Sequence, residues 1–315
     1  MTGSFETIDY RLRPAKHAER QMLVELVGRL RFDHIDQYSY IGMGSIGFVD
    51  HRMFHRGLGI CDMVSIEATE DEAAQERFRQ NSPLACIAMK FGYTWDVIPN
   101  LSYERRSICW LDYDDRLSAN MAADMTSLGA RIKSGSFLCV SFACGIPLDI
   151  VGSDREMDRL REEFPDFVGE GSKPEDFSGK KYSDLGREAL GAALERALHD
   201  ADATKPFDEQ RISSQVCYFR YRDGAAMATV GWVIYKRNEQ DAFDSCRLDQ
   251  LIYYRDADDA FVIKIPKLTP FEVSKLERLM PSDGIPEIEW LKEREREQFK
   301  EIYRYLPNFG IFEPV

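Results

Sequence analysis

The chain has 315 residues, 44% of them hydrophobic and 30% charged, which supplies a core for one large domain or two modest ones and argues against disorder of the whole. Its formal net charge of -13 repels nucleic acid at long range, so a DNA or RNA partner is disfavoured without being excluded. The longest apolar runs fall far short of a membrane span and Thr2-Gly3-Ser4-Phe5-Glu6-Thr7 lacks a signal-peptide pattern, so a cytoplasmic protein is expected.

From the amino terminus, the segment Tyr10 to Arg20 opens a helix whose apolar residues Met22, Leu23, Leu26, Val27 and Leu30 recur at helical spacing. Arg13, Lys16, His17 and Arg20 stand near its start, where cations oppose the helix dipole. A solvated face is the simplest expectation for them, and an anion or substrate contact the alternative. The stretch Tyr40-Ile41-Gly42-Met43-Gly44-Ser45-Ile46-Gly47, followed by Val64-Ser65-Ile66-Glu67, reads as a strand, a glycine turn, a helix and a second strand ending in a carboxylate. That arrangement binds adenosine-containing cofactors. Gly42 and Gly44 permit positive φ and close backbone approach, and Glu67 can accept both ribose hydroxyls. The pattern selects a nucleotide-like ligand without selecting which one.

Thr69-Glu70-Asp71-Glu72 has the form of a capping box with Thr69 as the cap, which predicts a helix over about 70–80. A strand near Ala85–Met89 follows, and Tyr93 to Ile98 leads into a loop. Ser107-Ile108-Cys109-Trp110-Leu111-Asp112 is an apolar run ending in acids, as expected of a buried central strand. A helix over about 119–132 and a buried strand at Ser136–Phe142 complete an alternation that predicts an α/β, doubly wound parallel sheet with helices on both faces. From 147 to 210 the texture becomes charged, with helices near 154–164 and 182–200, as in a lid-like, substrate-selecting insertion. Ser214–Tyr221 and Ala228–Tyr235, joined through Asp223-Gly224, form a hairpin signal that makes the last strand antiparallel. The tail, 241–315, carries a strand pair near 250–265, a helix capped at Thr269-Pro270-Phe271-Glu272 and ending by Met280, and a charged helix at about 287–305 with Tyr303, Tyr305 and Phe309 free to pack back. The expected division is a domain at 1–240 with the insertion, and an extension at 241–315.

Taken in order, Gly42-Met43-Gly44, Glu67, Asn81, Asp96 and Asp112 resemble the class I S-adenosylmethionine-dependent methyltransferases, and most of all a bacterial O-methyltransferase family. The resemblance spans most of the chain and implies a Rossmann-like sheet with an antiparallel last strand. It implies S-adenosylmethionine as cofactor, with Gly42, Gly44 and Ser45 at its amino-acid part, Glu67 on the ribose, Ala68 in the adenine slot, Asp96 near the adenine amine and Asp112 beside the methionine end and the acceptor. Relatives commonly carry an acid two positions before the first glycine. Here that place is Tyr40, so the methionine ammonium needs another acceptor, such as Asp112 or backbone carbonyls.

For a hydroxyl acceptor, Asp112 and Asp114 are the candidate base or acceptor-positioning groups. The Asp112-x-Asp114 spacing also resembles metal-dependent O-methyltransferases, but Ser141-Phe142-Ala143 stands where those carry an Asp-Asn pair, so a divalent metal is possible and not favoured. His51 and His55, four apart on a helix, lack a third metal ligand nearby in sequence. Trp95, Trp110 and Trp232 read as core or pocket-wall aromatics rather than a base-stacking platform. Seven scattered cysteines without a C-x-x-C argue against a zinc ribbon or disulfide framework. The alternatives to a methyltransferase are a nicotinamide dehydrogenase, which the G-x-G-x-x-G at Gly42, Gly44 and Gly47 also suits, and a non-catalytic scaffold. The acceptor, small or macromolecular, stays open, and an oligomer is possible.

Overall fold

The computed structural model describes residues 13–145 and 154–307. Helix α1 (Pro14–Val27) precedes β1 (Ser39–Gly42), α2 (Val49–Leu58), β2 (Asp62–Glu67), α3 (Glu72–Asn81), β3 (Ile87–Phe91), the short α4 (Thr94–Val97), β4 (Ser107–Arg116), α5 (Ala119–Arg131) and β5 (Ser136–Ala143). Then come α6 (Asp154–Glu163), α7 (Gly179–Asp202), β6 (Arg211–Asp223), β7 (Ala225–Lys236), α8 (Gln240–Ser245), β8 (Phe261–Val262), α9 (Pro270–Glu277) and α10 (Glu293–Ile302). The eight strands form one sheet in the order β3-β2-β1-β4-β5-β7-β6-β8. Strands β1 to β5 pair in parallel, and β7 runs antiparallel between β5 and β6, as the Asp223-Gly224 hairpin predicts.

Two apolar layers flank the sheet. One gathers α1, α2 and the tail around Trp110 and Tyr253, and the other gathers α5 and α7 around Phe142 and Leu194. Helix α7, inside the stretch expected to be a lid, is in large part a layer of the fold. Its Ala197 and Leu194 lie against Gly129 of α5, and Gly186 leaves room for the Phe142 ring, where a side chain would collide. The tail is stitched to α1, where Tyr253 donates to Met22 O at 2.8 Å and Tyr305 to Glu25 Oε2 at 2.5 Å.

Several local expectations change. Helix α3 starts at Glu72 with Asp71 as its cap, accepting from the Ala73 and Ala74 amides, while the Thr69 hydroxyl accepts from the Asp71 amide. A carboxylate two residues closer to the helix outcompetes the threonine for the free amides. Residues 94–97 wind into α4 instead of a loop. No strand pair forms over 250–265, where only β8 and an isolated bridge from Cys217 to Tyr254 occur. The Thr269 capping box forms as expected, with reciprocal bonds of 3.3 and 2.7 Å to Glu272. Tyr305 is buried, whereas Phe309 lies outside the described residues, as do the start of the insertion and the Tyr10 to Leu12 part of the first helix.

Candidate active site

Strand register brings the sequence motifs together. Gly42 pairs with Ser65 on one side and with Trp110 on the other, so two residues further along each chain Gly44, Glu67 and Asp112 emerge side by side at the carboxyl edge. This edge, where β1 has β2 and β4 as neighbours and the connections diverge, is where open α/β sheets bind ligands. A cavity of about 560 Å³ opens there, a size that suits a small-molecule cofactor. Its walls come from Met43, Gly44, Ser45 and Gly47 of the turn, Ile66 to Thr69 at and beyond the end of β2, Phe78 of α3, Gly92 to Trp95 after β3, and Asp112 to Asp115, Ser118, Asn120 and Met121 from β4 to α5. Arg20 of α1 and Val49 and Asp50 of α2 close it.

The glycine turn is tightly built. The Gly44 amide donates to Glu67 Oε1 at 2.9 Å, and the Ser65 hydroxyl donates to the same oxygen at 2.8 Å. A Cβ at Gly44 would lie 2.5 Å from Ser65 Oγ and 2.6 Å from the Phe48 ring, so only glycine fits. Ser45 and Phe48 both take left-handed conformations, φ 48° and 47°, strain of roughly 1–3 kcal/mol each that clusters at ligand sites. Ser45 Oγ is buried without a hydrogen-bond partner, a group that a bound ligand would satisfy. Burial pushes the Glu67 carboxyl up to about 7, against the opposing pull of its bonds to Ser65, Gly44 and Ser45.

Beneath the cavity lies a charge cluster. Lys16, fully buried, places its ammonium 2.5 Å from Asp112 Oδ1 and 2.8 Å from Glu19 Oε2, over the Trp110 ring at 4.3 Å. Arg20 bonds Asp50 through its Nε. Burial works against the Lys16 ammonium, but Asp112 and Glu19 outweigh it and raise its pKa. For Asp112 burial pushes upward, and Lys16 overrides it so that the carboxyl sits below its usual range. The solvated face expected for Lys16 and Arg20 is therefore wrong. Both are buried, drawn in by acids on the sheet and on α2.

Of the residues singled out from sequence, Gly44, Ser45, Glu67, Ala68, Asp112 and Asp114 line the cavity. Gly42 and Asp96 do not. Gly42 is a strand residue packed under the Tyr40 ring, and Asp96 faces outward on α4. Tyr40 itself is buried in a stack with Phe54 at 4.5 Å, an apolar role in place of an acid. His51 and His55 do not converge on a metal, since each engages a backbone carbonyl, of Val64 and Ile60 respectively. No cluster of three or more metal-binding side chains occurs among the described residues. Trp110 and Trp232 are core, while Trp95 is 41% exposed and stacks on Tyr93 at 4.3 Å on the cavity wall. Sequence reasoning missed Asp50, Tyr93 and Asn120 as wall residues, and gave Arg20 a place beside the pocket only as the alternative to a solvated face. For α1 a signal existed, because Lys16, Glu19 and Arg20 share the helix face of Met22 and Leu23, where charges need partners.

An antiparallel strand set between the last parallel strands, with a glycine turn and an acid meeting at the sheet's carboxyl edge, is a Rossmann-like sheet of the class I methyltransferase type. A family profile described as "Putative O-methyltransferase" matches residues 8–314, and the chain belongs to that family. No curated protein sequence matches the chain. Among solved structures, Trm1 from Pyrococcus horikoshii with S-adenosyl-L-methionine is similar at a TM-score of 0.43 and 13% identity over 71% of this chain, which spans 56% of that protein. An O-methyltransferase from Bacillus cereus in complex with SAH aligns with 73% of this chain and 86% of its own, at 16% identity and a TM-score of 0.36. A protein from Klebsiella pneumoniae described as "a putative O-methyltransferase" aligns with 73% of this chain and 84% of its own, at 13% identity and a TM-score of 0.37.

Proposed function

We propose that the cavity methylates a hydroxyl oxygen with S-adenosylmethionine as donor, Gly44, Ser45, Glu67 and Ala68 holding the donor, Asp112 standing between its methionine end and the acceptor, and Asp114 and Asp115 facing the acceptor. The supporting observation is the meeting of the glycine turn, Glu67 and the Asp112–Asp115 carboxylates around one 560 Å³ space. When bound, the donor would supply an electrophilic methyl carbon on a sulfonium, whose S–CH3 bond breaks to leave the neutral thioether of S-adenosylhomocysteine. Asp112, paired with Lys16, stays ionised and is a weak base, so it serves as a fixed anion. Asp114, on the exposed side of the wall, accepts the hydroxyl proton or orients it. Tyr93 and Trp95 offer flat surfaces to a ring.

Helix α6 is tied beside the acceptor end, through Glu156 to Arg116 at 2.8 Å, Arg159 to Leu117 O at 3.0 Å and Glu163 to the Ala119 amide at 2.8 Å. This supports the 147–210 segment as the acceptor-selecting element, with α6 as its working part. The charge of -13 favours an acceptor other than nucleic acid, and five of the seven cysteines are buried free thiols, which suits a reducing cytoplasm. No helix among the described residues is long and apolar enough to cross a membrane.

The test supplies methyl-labelled S-adenosylmethionine with a panel of phenols, catechols, aliphatic alcohols and amines. Label entering hydroxyl compounds, with Asp114→Asn lowering transfer about 100-fold, is the expected result. Label entering amines alone contradicts it.

A further inference from the structure

We infer that Lys16 is a positioning residue of the active site: from the N-terminal helix it fixes the Asp112 carboxylate that faces the cofactor cavity. The inference rests on the reading of that cavity as the S-adenosylmethionine site.

Helix α1 lies outside the strand–turn–helix unit that makes a nucleotide pocket, yet it inserts three charges beneath this one. Lys16, Glu19 and Arg20 are buried on its inner face among Ala15, Met22 and Leu23. An apolar side chain at position 16 would serve stability as well or better, because desolvating an ion offsets most of what pairing returns. The charge must therefore be explained by what it touches. Its ammonium meets Asp112 Oδ1 at 2.5 Å, and Asp112 is at once the partner of this lysine and a wall of the cavity. The rest of the lysine is immobilised. Trp110 lies under the ammonium, and the Trp110 indole is itself held through its Nε1–H to Ser141 Oγ at 2.9 Å, which meets Thr229 Oγ1 at 2.8 Å. The helix that carries the lysine is anchored at its start, where Asp223 of the hairpin accepts from the Lys16 amide at 2.8 Å. Strands β4, β5, β6 and β7 thus all contribute to the placing of one ammonium.

Without that cation, a carboxyl in this position would be driven by burial toward its protonated form. The other ionisable groups facing Asp112 are Arg13, Glu19 and Arg20 from the α1 side, Tyr40 on β1 and Tyr221 on β6, while Asp50 on α2 acts on Lys16 itself. Arg20 is committed to Asp50, so it does not substitute for Lys16.

The experiment is calorimetric titration of S-adenosylhomocysteine into the full-length wild type, Lys16→Met, Lys16→Arg, Asp112→Asn and the Lys16→Met/Asp112→Asn double variant, from about pH 6 to about pH 8.5, with melting curves for each. Near pH 6, Lys16→Met and Asp112→Asn each weaken binding about tenfold relative to wild type, and the double variant is no weaker than Asp112→Asn. Toward pH 8.5 the Lys16→Met loss shrinks as Asp112 ionises unaided, whereas the Asp112→Asn loss persists. Lys16→Arg restores at least part of the affinity at the lower pH. Wild-type affinity in Lys16→Met at every pH, or losses that add in the double variant, overturns the inference. If Lys16→Met does not fold, Asp112→Asn decides, because unchanged affinity there leaves the lysine nothing to act through. A wild type that binds no S-adenosylhomocysteine defeats the cofactor-site reading instead, so the two failures are distinct.

Discussion

The Gly44 amide donates to Glu67 Oε1 at 2.9 Å, joining the glycine turn after β1 directly to the acid that ends β2. The two halves of the nucleotide motif are thus one hydrogen-bonded unit before any ligand arrives, with Ser65 as the third member. Replacing Gly44 by alanine puts a methyl group onto Ser65 Oγ and the Phe48 ring, neither of which can withdraw without breaking buried contacts. Gly44→Ala should cost about 1–3 kcal/mol in urea unfolding and weaken S-adenosylhomocysteine binding more than about tenfold. Near-wild-type affinity would show that the turn does not approach the ligand.

Glu67 makes stability depend on pH. Its folded carboxyl is raised to about 7 by burial, above the ordinary value, so the folded state binds a proton more tightly than the unfolded chain. The contribution is fully present below about pH 4.5 and is lost as pH rises through about 7, to a limit on the order of 3 kcal/mol. Melting curves should show Glu67→Gln gaining on the wild type between about pH 5 and 8, while its cofactor affinity falls. A difference in melting temperature that is flat with pH contradicts the assignment.

Trp95 and Asp96 are neighbours with opposite roles. The Trp95 ring stacks on Tyr93 with an interplanar angle of 6° on the cavity wall, whereas Asp96 points away from it. If the adenine rests on that aromatic pair, Trp95→Ala weakens S-adenosylhomocysteine about tenfold, or about 1.4 kcal/mol, and Asp96→Ala leaves it unchanged. The reverse order would move the adenine to the outer face of α4, where Asp96 lies.

Far from the cavity, Asp202 at the end of α7 accepts from the Arg211 backbone amide at 2.7 Å and from its guanidinium at 2.9 Å on both oxygens. Burial works against the Asp202 carboxylate, but Arg211 and Lys205 more than compensate and hold it well below its ordinary range. Because the folded value is depressed, the stabilisation is present above about pH 4 and drains away as pH falls. Asp202→Ala should lose about 3–5 kcal/mol at neutral pH by leaving Arg211 unpaired, with the gap to wild type narrowing in acid urea titrations.

The order of elements was readable because each local signal agreed with its neighbours. The apolar run Ser107–Leu111 is buried in mid-sheet, and the Asp223-Gly224 turn, with Gly224 at φ 86°, closes the hairpin that sets β7 antiparallel. What could not be read is what depends on packing between distant segments. The burial of Lys16 is decided by Asp112, 96 residues away, and that of Arg20 by Asp50. Asp96 carried the right residue type in the right interval but sits on the outer side of a one-turn helix that the sequence did not announce. Local competition misplaced the α3 cap, since Thr69 and Asp71 are both good caps and only the folded geometry chooses.

The central claim is that the space bounded by Gly44, Glu67 and Asp112 holds a sulfonium nucleoside. Calorimetric titration of the purified protein with S-adenosylmethionine and, separately, with NAD tests it most directly. Saturable one-to-one binding of S-adenosylmethionine that is lost in Gly44→Ala, with no heat from NAD, is the predicted result. Saturable heat from NAD and none from S-adenosylmethionine would contradict it.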